Sequence, residues 1–441
     1  MPSVYDHANL SSMPIEVIKM ILYWLHRLSL TQQDDENEEF ESPWEENQFP
    51  RLRKFLKPIE GFPLKLNDMR SLASVDRSFY HKFSALVFES FDIESFPPDE
   101  SKLTLDEIIK SHSVHIKEIR GRVSFPDQPY GDPRLRSELL LKILKSCPRI
   151  TDIDIDLDPK PLISTANPET LDSTNNQFPD LFIKPISQLT SLTHLSLSTP
   201  HFRQTPYTET FLVELLSNIS GLQGFSCSRI EAVHPMPSTD RQACQSQLGI
   251  HLASLTHLVE LELEKAECLD VSWNQLKWKS SLKALSLTNC GRVSVKVLGG
   301  FAELFKSTLT TLTFARTGLY EPDNLTSDPL PTKKFRFKLP ELINLEIISS
   351  ASVRFAKGFE HSKKLSWLSL GNYPLHRHQN LEDLINEQLW PDLKKLELTS
   401  SKTYSIRAIE GLEDSCERDG IRLILNVDLV DDDSFEEDDM Y

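Results

Sequence analysis

The sequence has few cysteines and no long apolar run, and these absences exclude several classes of protein. The six cysteines are scattered and form no CxxC pair, so we expect no disulfide framework. No run of 18 apolar residues is present, so the sequence predicts no membrane-spanning helix. The N-terminus has no basic segment followed by an apolar one, which favours an intracellular protein, in the cytoplasm, the nucleus or both.

The short motifs of catalytic and cofactor sites are also missing. The sequence contains no GxxxxGK[ST], no GxGxxG opening a helix, no HExxH and no GxSxG, which are the motifs of phosphate loops, dinucleotide sites, zinc helices and serine nucleophiles. None of the 13 histidines joins a Cys or carboxylate cluster at ligand spacing. We therefore expect a protein that is not an enzyme and that holds no metal and no cofactor.

Basic residues are absent from two strongly acidic segments. Residues 31–48 and 428–441 each carry eight acidic residues and no Lys or Arg. Without these segments, 49 acidic residues face 48 basic ones, although the formal net charge is −17. A nearly neutral body without a basic stripe argues against nucleic-acid binding. We interpret the short basic run Lys333–Lys338 as a strand edge or loop, and residues 428–441 as a disordered acidic tail.

The sequence is rich in one apolar pattern, L-x-x-L-x-L, which recurs from about residue 110. Nine clear copies are 23 to 42 residues apart, and a recurrence of this length indicates a solenoid of leucine-rich repeats. The last two apolar residues of each copy alternate, as on a strand with one buried face. Ile116-x-x-Ile119 and Leu423-x-Leu425 are weaker end copies. The central residues of the clear copies are Ile153, Leu195, Phe225, Leu261, Leu285, Leu312, Leu345, Leu368 and Leu396.

Segments with helical spacing lie between the predicted strands, for example Thr208–Ile219, Val295–Phe305 and Leu381–Leu389. Because one repeat cannot bury its own apolar edge, the copies should stack, with a curved parallel sheet inside and helices outside. The sequence therefore predicts an α/β leucine-rich-repeat solenoid over residues 93–427. One copy, with Cys290 three residues past its strand, resembles the cysteine-containing subclass of these repeats. The other copies depart from that pattern, so we expect an irregular solenoid.

The repeat register places the polar residues between the leucines on the concave face, where solenoids bind partners. Some are negative, so we hypothesise that this face binds a protein with a basic or mixed-charge segment. The candidate target-binding residues are Asp152, Asp154, Asp156, His194, Glu260, Glu262, Glu264, Trp367 and Lys395. The same face should carry Ser196, Ser286, Thr288, Thr311, Thr313, Asn344, Glu346, Ser369 and Glu397.

Two of these candidates have alternative interpretations. The three Asp residues of "TDIDIDLD" (151–158) could form a calcium site, but no turn glycine or spaced bidentate Glu accompanies them. We therefore favour a solvated acidic ridge. Trp367 is either an exposed binding anchor or a side chain packed under a neighbouring loop, and the sequence favours neither.

The N-terminal stretch "SSMPIEVIKMILYWL" (11–25) predicts a helix that is apolar over most of its surface. Pro14 suits the first helical position, and Ile18, Ile21, Leu22 and Leu25 form one stripe. A helix that is apolar on more than half of its surface must lie in a large core or dock on a second chain.

The segment "MPIEVIKMILYWL", followed by "LNDMRSLASVDRSFYHKFSALVFESF", resembles an F-box. The resemblance covers about residues 10–92. It implies a small all-α helical domain over residues 8–92 with an acidic insertion at about 30–60. It implies docking on a Skp-type adaptor, which links the protein to a cullin ubiquitin ligase core. The residues that the resemblance assigns to this docking are Met13, Pro14, Ile18, Ile21, Leu22, Leu25, Leu72, Val75 and Phe79.

An F-box followed by leucine-rich repeats implies a substrate-recognition subunit of an SCF-type (Skp–cullin–F-box) ubiquitin ligase, acting in ubiquitin-dependent protein degradation. Its target would be an unknown protein held by the repeats. The alternative is a leucine-rich-repeat interaction scaffold whose N-terminal helices cap the solenoid and which has no link to ubiquitin ligases.

Overall fold

The structure, a computed structural model, describes residues 88–93, 109–123, 133–157, 180–199, 206–233, 242–316, 336–349, 352–371, 378–399, 404–405, 407–426 and 429–430. The strands are β1 (Ser90–Asp92), β2 (Glu118–Arg122), β3 (Asp152–Asp156), β4 (His194–Ser198), β5 (Gly224–Ile230), β6 (Glu260–Ala266), β7 (Ala284–Thr288), β8 (Thr311–Ala315), β9 (Asn344–Ile348), β10 (Trp367–Gly371), β11 (Lys395–Thr399), β12 (Tyr404–Ser405), β13 (Arg422–Asn426) and β14 (Leu429–Val430).

Helices alternate with most of these strands. They are α1 (Pro133–Ser146), α2 (Asp180–Ser187), α3 (Glu209–Leu216), α4 (Gln247–Ser254), α5 (Val295–Glu303), α6 (Ser352–Lys357), α7 (His378–Asn386) and α8 (Arg407–Arg418), with a 3-10 helix at Val271–Gln275. The three helical segments predicted from spacing correspond to α3, α5 and α7. Every helix in the described ranges is too short or too polar to cross a membrane.

Strands β4 to β11, followed by β13, form one parallel sheet whose spatial order follows the chain. β12 and β14 form a separate parallel pair. Neighbouring parallel strands joined by helical connections are the arrangement that stacked repeats produce. The predicted α/β leucine-rich-repeat solenoid is therefore confirmed.

The chain divides into two compact units, residues 1–153 and 154–441. In the first unit β1 pairs with β2, so that Phe91 stands opposite Ile119, and both side chains are buried. The sequence assigned residues 90–92 to the all-α domain, and this assignment is wrong. Phe91 and Ile93 alternate with Asp92 and bury one face of a strand.

In the second unit the central residues of the repeats stand opposite one another. One continuous row runs from Leu195 to the weak copy at Leu423, and a parallel row runs from Leu197 to Leu425. From β4 to β11, both rows are no more than 4% exposed. These rows form the core of the sheet, and the weak copy at Leu423 is confirmed as a strand.

Three consecutive strands bend in the same way at their ends. Arg229, Lys265 and Asn289 have φ of 56°, 50° and 52°, in the left-handed region that side chains other than glycine rarely adopt. After the last of these, the Cys290 thiol lies against the Leu263 carbonyl oxygen with an S···O distance of 3.4 Å. Burial raises the pKa of Cys290 to about 12, so this cysteine keeps its proton and acts as a weak donor between two repeats.

Two predicted segments meet the described residues only in part. The tail was predicted from residue 428, but Leu429–Val430 form a strand that pairs with Tyr404–Ser405. Residues 431–441 lie outside the residues that the structure describes. In the basic run, Phe337 is buried and stacks on Phe359 with ring centroids 4.2 Å apart. This packing agrees with the interpretation of the run as part of a loop that enters the repeats.

Candidate protein-binding surface

The second unit presents a polar sheet face, opposite the leucines, which the sequence predicted to be concave. Register pairs align its residues in three rows across the strands. The first row is His194, Gly224, Glu260, Ala284, Thr311, Asn344, Trp367, Lys395 and Arg422. The middle row is Ser196, Ser226, Glu262, Ser286, Thr313, Glu346, Ser369, Glu397 and Ile424. The third row is Ser228, Glu264, Thr288, Ala315, Ile348, Gly371, Thr399 and Asn426.

The middle row has an unusual composition. From β4 to β11 each position is Ser, Thr or Glu, so the row offers hydroxyl and carboxylate oxygens and contains no basic side chain. Its carboxylates, Glu262, Glu346 and Glu397, stand on β6, β9 and β11. A line of acceptors with negative charge at intervals is complementary to a segment that carries basic side chains.

Glu346 is the most buried carboxylate of the middle row, at 5% exposure. Its Oε2 accepts a hydrogen bond from Thr313 Oγ1 at 3.1 Å. Loss of hydration raises the pKa of Glu346 from 4.5 to about 7; the Thr313 bond opposes this rise, and the charges of Glu397 and Glu262 add to it. The centre of the polar sheet face therefore gains or loses a proton near neutral pH.

A compact cluster surrounds Trp367, which lies on β10 of the polar sheet face. The indole Nε1 donates to Glu397 Oε2 at 3.3 Å, and Lys395 Nζ lies 5.5 Å from the ring centroid and 3.0 Å from the same carboxylate oxygen. Asn426 Nδ2 donates to Glu397 Oε1 at 3.0 Å. Trp367 is 8% exposed. The structure favours a packed Trp367, and the residues that it places against the ring lie on the neighbouring strand β11 and not on the predicted loop.

At the β4 end, a glycine lets two side chains meet. His194 Nε2 and Glu260 Oε1 lie 4.0 Å apart, although β5 separates their strands. Gly224 stands between them in the first row, and a Cβ at this position would collide with the His194 ring. The pair is ionic when the imidazole is protonated. On the same strand as Glu260, Glu264 Oε1 pairs with Lys265 Nζ at 3.0 Å.

The structure thus brings six predicted candidates together on the polar sheet face: His194, Glu260, Glu262, Glu264, Trp367 and Lys395. Their contact with a target remains a prediction. The nine predicted adaptor-docking residues lie outside the residues that the structure describes.

The Asp residues of β3 differ from the predicted solvated ridge. Ile153 and Ile155 are buried as expected. Asp152, in the first unit, is also buried, at 9% exposure, and accepts a hydrogen bond from Thr151 Oγ1 at 2.7 Å. In the second unit, Asp154 and Asp156 are partly exposed, and Asp156 accepts a bond from Ser198 Oγ. Across the described ranges, no group of three His, Cys, Asp or Glu side chains is placed to hold a metal ion.

Two features of the face were missed by sequence reasoning. The sequence pattern does not show that Glu346 is buried, because Glu262 and Glu397 occupy equivalent positions in the repeat and are less buried. Ile424, in contrast, could have been found by extending the register of the middle row to the weak copy at Leu423-x-Leu425.

No family model matches the sequence, and no curated protein matches it. Among solved structures, one match is internalin C2 from Listeria monocytogenes, which is 17% identical over 55% of this chain and 83% of that chain, with a TM-score of 0.28. Another is the leucine-rich repeat-containing protein LegL7 from Legionella pneumophila, which is 13% identical over 78% of this chain and 91% of that chain, with a TM-score of 0.38. The assignment of the fold rests on the strand register described above.

Proposed function

We propose that the protein is a recognition subunit without catalytic activity, whose polar sheet face binds a basic segment of a partner protein. The observation that carries this proposal is the middle row, which holds three carboxylates and no basic residue over eight neighbouring strands. Parallel strands lie about 4.8 Å apart, so a bound chain crossing the strands would meet one acceptor position at each step.

The partner should contribute several Lys or Arg side chains and few acidic ones. A cation beside Glu346 would favour its charged form, and the carboxylate would lose its proton on binding. Charge complementarity of this kind chiefly sets specificity and association rate. Hydroxyls between the carboxylates would bind the partner's backbone or polar groups.

A labelled peptide of alternating Lys and Ser residues tests this surface directly by fluorescence anisotropy. The test variant combines Glu262→Gln, Glu346→Gln and Glu397→Gln, which keeps side-chain size and removes the three charges. We expect its affinity for the peptide to fall by about tenfold or more. The control variant combines Glu341→Gln, Glu382→Gln and Glu387→Gln, which changes net charge equally outside the three rows. An equal loss of peptide affinity in both variants would show that the peptide responds to the protein's net charge, and it would refute the assigned binding surface.

We further propose that the N-terminal segment docks on a Skp-type adaptor and makes the protein the substrate-recognition subunit of an SCF-type ubiquitin ligase in the cytoplasm or nucleus. The support is the F-box resemblance and the surplus apolar surface predicted for residues 14–25. In this role the protein acts by proximity, because tethering raises the effective concentration of target lysines at the ligase.

Co-expression with a Skp-type adaptor, followed by copurification, tests the link to the ligase. We expect the wild type to copurify and the variant Pro14→Ala with Ile18→Asp to fail. The control variant Lys19→Ala changes a polar residue of the same predicted helix and should still copurify. A wild type that does not copurify would favour the alternative, an interaction scaffold with no link to ubiquitin ligases.

A further inference from the structure

The last strand of the sheet, β13, is an edge strand among the strands that the structure describes. Among the described strands its one neighbour is β11. Arg422 N donates to Lys394 O at 2.8 Å, so the backbone groups of Arg422, Ile424 and Asn426 face β11. Because these groups alternate along a strand, those of Leu423 and Leu425 face away from the sheet. An edge of this kind can pair with a further strand.

The three central side chains of β13 are apolar, where a last strand would be expected to be polar. Leu423 and Leu425 continue the two buried rows but are only half-buried, whereas Leu396 and Leu398 beside them are 0% and 3% exposed. Ile424 continues the middle row, which is Ser, Thr or Glu on each strand from β4 to β11. β13 thus has the apolar composition of a strand that is covered on both sides.

The sequence of β13, R-L-I-L-N, is symmetric at its three apolar positions. In an antiparallel pair of two copies centred on Ile424, Leu423 of one copy faces Leu425 of the other, and the two Ile424 side chains face each other. Arg422 faces Asn426, so no like charges are opposed. The outward backbone groups of Leu423 and Leu425 are those that an antiparallel pair in this register would join.

We propose that β13 pairs with β13 of a second copy of this chain, about a two-fold axis at Ile424, and so joins the two polar sheet faces edge to edge. The symmetric apolar pattern favours a second copy over an unrelated peptide, since a two-fold interface must be complementary to itself. The paired strands are five residues long, which is a small interface, and we expect a reversible dimer with a dissociation constant in the micromolar range.

Sedimentation velocity of the full chain from about 1 to 300 µM tests the proposal. We expect the wild type to shift from monomer to dimer over this range. Ile424→Lys and Ile424→Glu each place like charges at the axis and should weaken the dimer by tenfold or more, while an equimolar mixture of the two variants should restore it. Leu425→Pro removes a backbone N–H that points away from the sheet and keeps the hydrogen bonds between β13 and β11. This variant should also be a monomer.

The control Gln223→Lys adds the same charge as Ile424→Lys at an exposed position before β5 and should leave the dimer unchanged. Circular dichroism verifies that each variant is folded. A wild type that stays monomeric throughout overturns the proposal, and so does a dimer that tolerates the changes at Ile424 and Leu425. A monomer whose Leu423 and Leu425 amides exchange slowly with deuterium would also overturn it, because the chain would then cover its own edge.

Discussion

Glu346 on β9 accepts a hydrogen bond from Thr313 on β8, and this bond joins adjacent strands on the polar sheet face. One hydroxyl donor does not replace the water that a carboxylate loses on burial. The pKa of Glu346 therefore rises to about 7, and at pH 8 the folded state holds a poorly solvated charge. Such a charge weakens the fold.

Glu346→Gln should stabilise the protein at pH 8 by about 1–3 kcal/mol, because it removes the cost of ionising a buried carboxyl. The folded-state pKa of about 7 lies above the ordinary 4.5, so folding takes up a proton between these values. The wild type consequently loses stability relative to the variant as the pH rises from 4.5 to 7. Urea unfolding at pH 4.5, 6 and 8 measures this difference. The exposed Glu387→Gln is the control, and an equal effect of Glu346→Gln at all three pH values would contradict the prediction.

Binding of the Lys–Ser peptide should strengthen severalfold from pH 6 to pH 8, since Glu346 must lose a proton to pair with a cation. Anisotropy titrations at several pH values measure the affinity, and Glu346→Gln should flatten the profile. His194 lies beside Glu260 on the same face and provides the comparison. If His194→Gln flattens the profile and Glu346→Gln does not, the imidazole is responsible instead.

The repeat register could be predicted because burial of leucine is a local, periodic signal. Leu261 stands opposite Leu285, and Leu285 stands opposite Leu312, as the spacing of the repeats predicts. The face on which Glu262 and Trp367 lie follows directly from that register, since side chains alternate along a strand.

The burial of individual polar residues could not be predicted in the same way. Asp152 and Asp156 both alternate with the apolar residues of the pattern, yet Asp152 is buried and Asp156 is partly exposed. The difference depends on neighbouring chain that the repeat pattern does not encode. The strand at Ser90–Asp92 was missed for a different reason: three residues are too few to show a period.

Gly224→Ala should destabilise the wild type by about 1 kcal/mol, because the new Cβ collides with the His194 ring. In a His194→Ala background the collision is absent and the sign should reverse. Alanine then gains about 0.5–1 kcal/mol over glycine, since it restricts the unfolded chain and the φ of residue 224 is not positive. Urea unfolding of the four proteins completes a double-mutant cycle. Destabilisation by Gly224→Ala in both backgrounds would mean that another neighbour occupies the space.

Glu209 should be essential for the contact between α3 and α4. It is the first residue of α3, is 2% exposed, and accepts hydrogen bonds from Ser246 Oγ at 2.6 Å and from Leu248 N at 3.0 Å. Ser246 in turn caps α4 by accepting a bond from Gly249 N at 3.0 Å. The carboxylate therefore satisfies the N-terminus of the next helix directly and through the cap.

Glu209→Ala should cost about 2–4 kcal/mol, because it leaves a buried N–H and a buried hydroxyl without their acceptor. Glu209→Gln keeps a carbonyl oxygen at the site and should cost less. The control is Glu214→Ala, an exposed glutamate on the same helix. Because each repeat contacts chiefly its neighbours, hydrogen exchange in Glu209→Ala should increase most at α4 and less at α7. If Glu209→Ala and Glu214→Ala have equal free energies of unfolding, Glu209 does not hold the two helices together.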